Sequence, residues 1–184
     1  MGVGAALMVR AELGLSPWDV LHQGISQQTD IPIGQVGIWV GVVVLLGWIP
    51  LAQRIGLGTA LNVVVIGLVI DGTLLVLDAL DGLALRSLAM LAGVVLIGVG
   101  SGLYIGAGLG PGPRDGLMTG LAARGHSIRL VRTAMEMAVL VGGWLLGGTV
   151  GVGTVVFALA IGPLVHHFLD WLTLPAPVLT APAQ

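Results

Sequence analysis

The pattern of apolar and polar positions is dominated by long apolar runs, with little of the alternation that marks exposed strands. Four such runs cover residues 34–51, 57–77, 88–109 and 151–172. Each reaches or approaches the roughly 20 residues that a helix needs to cross a bilayer. The pattern therefore predicts an all-α, polytopic membrane protein.

Composition strengthens this interpretation and excludes several classes of site. Only 9% of the 184 residues are charged, whereas soluble domains carry about a quarter. The mean hydropathy is +1.05. The chain has no Lys and no Cys, and its net charge is -2. We therefore expect the lipid bilayer as a partner, no nucleic acid, no disulfide or thiol chemistry, no cofactor and no metal site.

The sequence contains an internal similarity between two segments that are about half the chain length apart. Residues 2–26 and 98–122 match at 11 of 25 positions, where chance would give about two or three. Trp48 pairs with Trp144 at the same offset, and after a one-residue slip "GLGT" at 56–59 pairs with "GVGT" at 151–154. This predicts one membrane domain, 1–184, built from duplicated halves, 1–82 and 83–172, with a flexible tail at 173–184.

Each half contains a short Pro-x-Asp segment, at roughly 17–28 and 113–124. A helix of that length would extend about 18 Å, too short to cross the hydrocarbon, so we expect a broken or re-entrant helix. Three longer crossings then remain in each half. About six transmembrane helices result, and an odd number per half implies two inverted repeats. The alternative is four crossings per half, which would make the repeats parallel.

The arginines favour the inverted arrangement. With six crossings, Arg10 and Arg86 fall on one side of the membrane, and five fall on the other: Arg54, Arg114, Arg124, Arg129 and Arg132. The positive-inside rule places the five-Arg side and both termini in the cytoplasm. The first apolar stretch, 1–15, is short for a span, so we expect the native first helix to begin upstream of Met1.

The Pro-x-Asp segments carry helix-start signals. In the first copy Ser16 suits the N-cap, Pro17 suits N1 and Asp19 falls at N3, where a carboxylate can bind free N–H groups. In the second copy the same places are taken by Gly112, Pro113 and Asp115. Helix capping alone would account for both motifs, because unpaired N–H groups at membrane depth cost several kcal/mol each.

A solute site is the functional alternative, because many secondary transporters build one from paired broken helices. The candidate substrate-binding residues are Trp18, Asp19, His22, Arg114 and Asp115. A carboxylate already occupies each helix start, so a cation, a proton or a neutral polar solute is favoured. Arg114 would restore an anion site or extend to the cytoplasmic face.

Other polar and aromatic residues have simpler interpretations. His22 follows Asp19 by one helical turn and suits a hydrogen-bonded helix partner. Arg132 and Glu136 are spaced for an intrahelical ion pair. Asn62 and Asp71 fall in the second long helix of the first half, where an ionisable group is a functional candidate by default; the alternative for Asp71 is a position near the outer interface. Three tryptophans near the ends of the apolar runs suit interface anchors: Trp48, Trp144 and Trp171.

The motifs "GLSPWDVLHQG" and "GLGPGPRDGLMTGL", with the apolar stretches between them, resemble the bacterial YczE membrane-protein family, which is related to the YitT group. The resemblance runs through nearly the whole chain. It implies a multi-pass protein of the bacterial cytoplasmic membrane, and it supplies no established substrate or active site.

Three functional classes remain open, and an enzyme is not among them. The first is a small transporter or permease-like protein for a small polar or cationic solute. The second is an accessory or scaffold protein of another membrane complex, and the third is a substrate-capture subunit of an uptake system; a homo-oligomer is compatible with each. Transport predicts a water-accessible cavity lined by Asp19, His22 and Asp115. A scaffold predicts closed halves and an exposed small-residue face such as Gly37 and Gly41.

Overall fold

The apolar runs fold into α-helices, since a helix pairs its backbone groups within one segment and apolar surroundings offer no alternative partner. A computed structural model describes residues 1–53, 55–108 and 110–172. Within these ranges it contains eight α-helices and no strand: α1 (Gly2–Ala11), α2 (Pro17–Thr29), α3 (Ile33–Leu46), α4 (Leu57–Val76), α5 (Leu83–Gly106), α6 (Pro113–Ala122), α7 (Ile128–Leu145) and α8 (Val152–Leu172). The all-α prediction is confirmed, while Arg54 and the expected tail at 173–184 lie outside the described residues.

Fewer helices than expected meet the usual criteria for a membrane span. Within the described ranges, α4, α5 and α8 are long and apolar enough, and α2 with α3 gives a fourth candidate if that pair, bent by 114°, is one span. The prediction of six is not reached by this criterion. The reasons are local: α1 has 10 residues, α3 has 14, and α7 carries Arg129, Arg132 and Glu136.

Helices α1 and α5 pack antiparallel through small residues. A Cβ on Gly4 would lie 2.6 Å from the carbonyl oxygen of Gly93, and a Cβ on Gly93 equally close to that of Gly4. Farther along α5, Gly100 contacts Met1. Side chains at either glycine would force the backbones apart, so the abundance of glycine here serves close helix packing.

Polar side chains from neighbouring helices bind the free backbone groups at two helix ends. The carboxylate of Asp71 in α4 accepts hydrogen bonds from the N–H groups of Gly34 and Gln35 in the first turn of α3. At the C-terminus of α1, Arg86 donates a hydrogen bond to the carbonyl of Ala11, the last residue of that helix. Asp71 therefore has a structural role, because it occupies the N-terminus of a helix that lacks a cap of its own.

Two ends of the bundle can be defined by such contacts. At the Arg86 end, Arg10 donates to the carbonyl of Leu74, so α1 and α4 finish there while α5 begins. At the Arg124 end, Arg124 donates to the carbonyl of Pro50, so α3 and α6 finish there. The two short helices, α2 and α6, run from the middle of the bundle toward opposite ends.

Candidate functional site

A large cavity lies between the N-termini of the two short helices. Its volume is about 680 Å³, within the range of small-molecule sites. Most of the wall is apolar, and the polar side chains that line it are Ser16, Asp19, His22, Asn62, Ser101, Tyr104, Arg114, Asp115, Arg132, Glu136 and His166. The Pro-x-Asp motifs thus contribute to one shared cleft.

The start of α2 is closed by a compact set of polar contacts. The Ser16 hydroxyl accepts a hydrogen bond from the Asp19 backbone N–H at 3.3 Å and donates to the Asp19 carboxylate at 2.5 Å. The other carboxylate oxygen lies 3.4 Å from Nδ1 of His22. Asp19 therefore supports the cap through the Ser16 hydroxyl, instead of binding the free N–H groups directly as the spacing predicts. Both of its oxygens have a partner.

The start of α6 is closed differently. Gly112 occupies the N-cap with backbone angles almost equal to those of Ser16, but it has no side chain, and Asp115 makes no cap hydrogen bond within the described residues. The described side-chain hydrogen bonds from elsewhere in the chain at this helix start go to carbonyl oxygens, one before the helix and one of its first residue. Thr59 donates to Pro111 at 2.7 Å, and the Trp48 indole donates to Pro113 at 2.9 Å.

This contact corrects the interpretation of Trp48 as an interface anchor. Trp48 is 1% exposed, whereas Trp144 and Trp171 are 61% and 82% exposed. Gly116 makes room for the buried indole, because a Cβ there would overlap the Trp48 ring. An indole that fills the interior and satisfies a carbonyl has a structural role in place of an interfacial one.

Arg114 reaches from α6 to α2 across the cleft. Its guanidinium carbon lies 4.8 Å from the centroid of the Trp18 ring, a cation–π distance. Trp18 is 7% exposed, and its indole Nε1 has no hydrogen-bond partner among the described residues. The two residues occupy matched positions of the two Pro-x-Asp motifs. In this way the two short helices are joined by a pair of corresponding side chains.

Two further charged side chains of the cleft are on α7. Arg132 donates to Glu136 at 2.9 Å, so the predicted intrahelical ion pair is confirmed. Among the described residues no group of three or more His, Asp or Glu side chains is arranged to hold a metal ion. The arrangement is suited to binding a polar solute by charge and hydrogen bonds.

All five candidate substrate-binding residues line this one cleft: Trp18, Asp19, His22, Arg114 and Asp115. The sequence interpretation missed the direct contact between Trp18 and Arg114. The one signal in the sequence was that the two residues occupy matching positions of the two Pro-x-Asp motifs. The sequence gave no signal for the contribution of Ser101 or Tyr104, which lie among glycine and apolar residues along the chain.

The cleft is closed along one helix pair and open along another. α3 packs tightly on α4, where Gly34 meets Gly67 and Gly41 meets Val63. In the described residues α7 and α8 have no comparable packing. Gly162, which aligns with Gly67 through the GLGT and GVGT motifs, would meet no atom within 4 Å of a Cβ and lines the cleft.

The comparisons with known proteins place the chain among bacterial membrane proteins. A model described as a family of unknown function (DUF6198) matches residues 1–170. An uncharacterized protein of Haemophilus influenzae is 46% identical over 171 residues, which cover 92% of this chain and 78% of that protein. No solved structure matches.

A second relative carries a membrane description in its name. The uncharacterized membrane protein YczE of Bacillus subtilis is 36% identical over 173 residues, which cover 92% of this chain and 80% of that protein. A third, the uncharacterized protein YyaS of the same organism, is 28% identical over 179 residues. Together with the long apolar helices, these matches identify the chain as a membrane protein of the DUF6198 family, related to YczE.

Proposed function

We propose that this protein is a small solute transporter with six crossings in two inverted repeats, whose cleft gives alternating access to the two sides of the membrane. α1, α3, α4, α5, α7 and α8 are the crossings, and α2 and α6 are re-entrant. One observation carries the proposal. The two re-entrant helix starts face a single cleft that is closed along α3–α4 and open along α7–α8.

Matched backbone contacts support the duplication. Gly14 and Gly110, which align in sequence, have φ values of +114° and +115°. Gly14 packs on Thr154 and Gly110 packs on Thr59, so each loop contacts the Gly-x-Gly-Thr motif of the opposite half. Such reciprocal contacts are what a two-fold relation between the halves requires.

Helix directions support the inversion. Corresponding helices of inverted repeats must run in opposite directions, and α1 and α5 pack antiparallel. Their own partners repeat the same geometry: Gly2 of α1 contacts Val69 of α4, and the aligned Gly98 of α5 contacts Leu164 of α8. We therefore also propose that the start of α1 and the end of α8 lie at the Arg124 end, and that this end, with both termini, is on the cytoplasmic face of the bacterial membrane.

The cleft favours transport over the scaffold alternative. A scaffold would have closed halves and leave Gly37 and Gly41 on an exposed face. Instead Gly37 lies beside His22 and Gly41 packs on Val63. Asp19, His22 and Asp115 line the cavity together, as transport predicts.

The test compares metabolites in a deletion strain and in complemented strains, measuring both uptake and efflux. One complementing variant, Gly162→Trp, places an indole in the cleft. Its matched control, Gly72→Trp, places the same side chain at a glycine that also has free space but does not line the cleft.

Transport predicts that wild type and Gly72→Trp restore the level of at least one solute, whereas Gly162→Trp does not at equal amounts of folded protein. Full restoration by Gly162→Trp would overturn the proposal, and so would a deletion that changes no solute.

A further inference from the structure

We propose that the solute carries an anionic group, of the carboxylate or phosphate type, and that Arg114 binds this group on the surface of Trp18. This inference rests on the proposed solute cleft and adds the chemical class of its ligand. It differs from the cationic solute that the motif spacing alone favours.

The first support is that no carboxylate forms an ion pair with the Arg114 guanidinium among the described residues, although Asp19, Asp115 and Glu136 attract it from a longer distance. It makes no hydrogen bond, and no carboxylate oxygen lies within 4.0 Å of it among the described residues. A guanidinium offers five donors, and leaving them unpaired in a partly apolar site is unfavourable. Its one described short-range contact is the Trp18 ring. The ring orients the guanidinium by stacking, but it accepts no hydrogen bond from the guanidinium N–H groups, which point outward in the guanidinium plane.

The second support is that two of the nearby carboxylates are already engaged. Asp19 is held by Ser16 and His22, and Glu136 is paired with Arg132. Neither is within ion-pair distance of Arg114, although both carboxylates line the same cleft. Asp19 at the start of α2 is thus partly neutralised by its own neighbours. Asp115 at the start of α6 also lines the cleft and attracts Arg114, but no described hydrogen bond occupies the guanidinium donors, which remain available to a ligand.

The third support is the shape of the site. The guanidinium is half-buried at the wall of a cleft of about 680 Å³, beside a tryptophan whose indole N–H also lacks an acceptor among the described residues. An arginine that stacks on an aromatic ring and keeps its N–H donors unpaired is well placed to bind a carboxylate or phosphate through two parallel hydrogen bonds. Most of the remaining wall is apolar, so the solute carries an apolar portion next to its anionic group.

The experiment uses the purified full-length protein in nanodiscs and three probes of nearly equal size: benzoate, neutral benzamide and cationic benzylammonium. Thermal unfolding is followed by emission from the five tryptophans. A ligand that binds the folded state raises the melting temperature in a concentration-dependent way. We expect benzoate to raise it for wild type, and the two other probes to have little effect.

Two variants locate the effect. Arg114→Gln removes the guanidinium and should raise the half-saturating benzoate concentration by about tenfold or more, the loss expected for a charge-assisted hydrogen bond. Arg124→Gln makes the same charge change outside the cleft and should respond as wild type does. In phosphatidylcholine nanodiscs, an equal response of Arg114→Gln and wild type, equal effects of the three probes, or no response to benzoate would each overturn the inference.

Two lipid compositions distinguish a free solute from a lipid headgroup, since both sources can supply the anion. If phosphatidylglycerol stabilises wild type but not Arg114→Gln and abolishes the benzoate response, the anion is a lipid headgroup. If the response is the same in phosphatidylcholine alone and in the mixture, it is a soluble group. The transport proposal can fail while the anion site is confirmed. If the protein binds benzoate but its deletion changes the level of no solute, the transport proposal is rejected and the anion site is retained.

Discussion

The carboxylate of Asp71 accepts a hydrogen bond of 2.7 Å from the backbone N–H of Gly34, so a side chain of α4 caps the N-terminus of α3. The second carboxylate oxygen accepts from Gln35 at 2.9 Å. The residue before α3 is Pro32, which offers no side-chain acceptor for these donors. Asp71 on α4 therefore acts as the N-terminal cap of α3, a role that a residue next to the helix start fills in α2. The same contact holds α3 against α4, the pair that closes the cleft.

The first prediction concerns this cap. Asp71→Ala should destabilise the protein by about 1–2 kcal/mol, the usual loss for a capping carboxylate, because two N–H groups lose their acceptor. Asp71→Asn keeps one acceptor oxygen and should lose less. Thermal unfolding of the purified variants measures both effects. Asp78→Ala, at an exposed loop carboxylate, is the control and should unfold as wild type does.

The second prediction tests the inverted topology. The chain has no cysteine, so a single introduced thiol reports its own position. Thr29 ends α2 and Ser127 precedes α7, and both side chains are exposed. Thr29→Cys and Ser127→Cys should react with a membrane-impermeant maleimide from opposite faces of oriented vesicles. Labelling of both from one face would contradict the inverted arrangement.

The third prediction separates capping from function at Asp19. Asp19→Asn keeps an acceptor for Ser16, so its melting temperature should stay close to that of wild type. Asp19→Leu leaves Ser16 and His22 without their partner and should destabilise the fold by about 1–3 kcal/mol. If Asp19 also serves the solute, Asp19→Asn should lower uptake at an unchanged amount of folded protein. Full uptake with an unchanged melting temperature would limit Asp19 to its structural role.

Asp115→Asn is the comparison within the same cleft. Because Asp115 makes no cap hydrogen bond among the described residues, this change should leave stability unaltered. A fall in melting temperature larger than that of Asp19→Asn would show that the Asp115 carboxylate makes a structural contact that the Asp19 carboxylate does not make.

Local rules predict the short helices well because their signals lie within one turn. α2 begins at Pro17 and α6 at Pro113, where proline loses no hydrogen bond. The contacts that hold these helices come from distant parts of the chain. Trp48 binds Pro113 across 65 residues, and no local periodicity distinguishes such a tryptophan from one at an interface. The opening between α7 and α8 is likewise a property of packing, which neither repeat motif encodes.

The last prediction concerns the difference between the closed and open helix pairs. In α3–α4, a Cβ on Gly41 would lie 3.5 Å from the Cβ of Val63, a separation at which a disulfide forms readily. Gly41→Cys with Val63→Cys should therefore cross-link in mild oxidant. The aligned positions in α7–α8 are Met137, which is 52% exposed, and Ala158, which lines the cleft.

Cysteines at Met137 and Ala158 should remain unlinked in the form described, because α7 and α8 are separated there. Alternating access requires the two pairs to exchange their roles, so this second pair should cross-link when a transported solute is added. The disulfide at Gly41 and Val63 should block uptake, and reduction should restore it, which controls for damage by the substitutions. Uptake that continues with this disulfide intact would show that α3 and α4 do not separate during transport, and the alternating-access mechanism would fail.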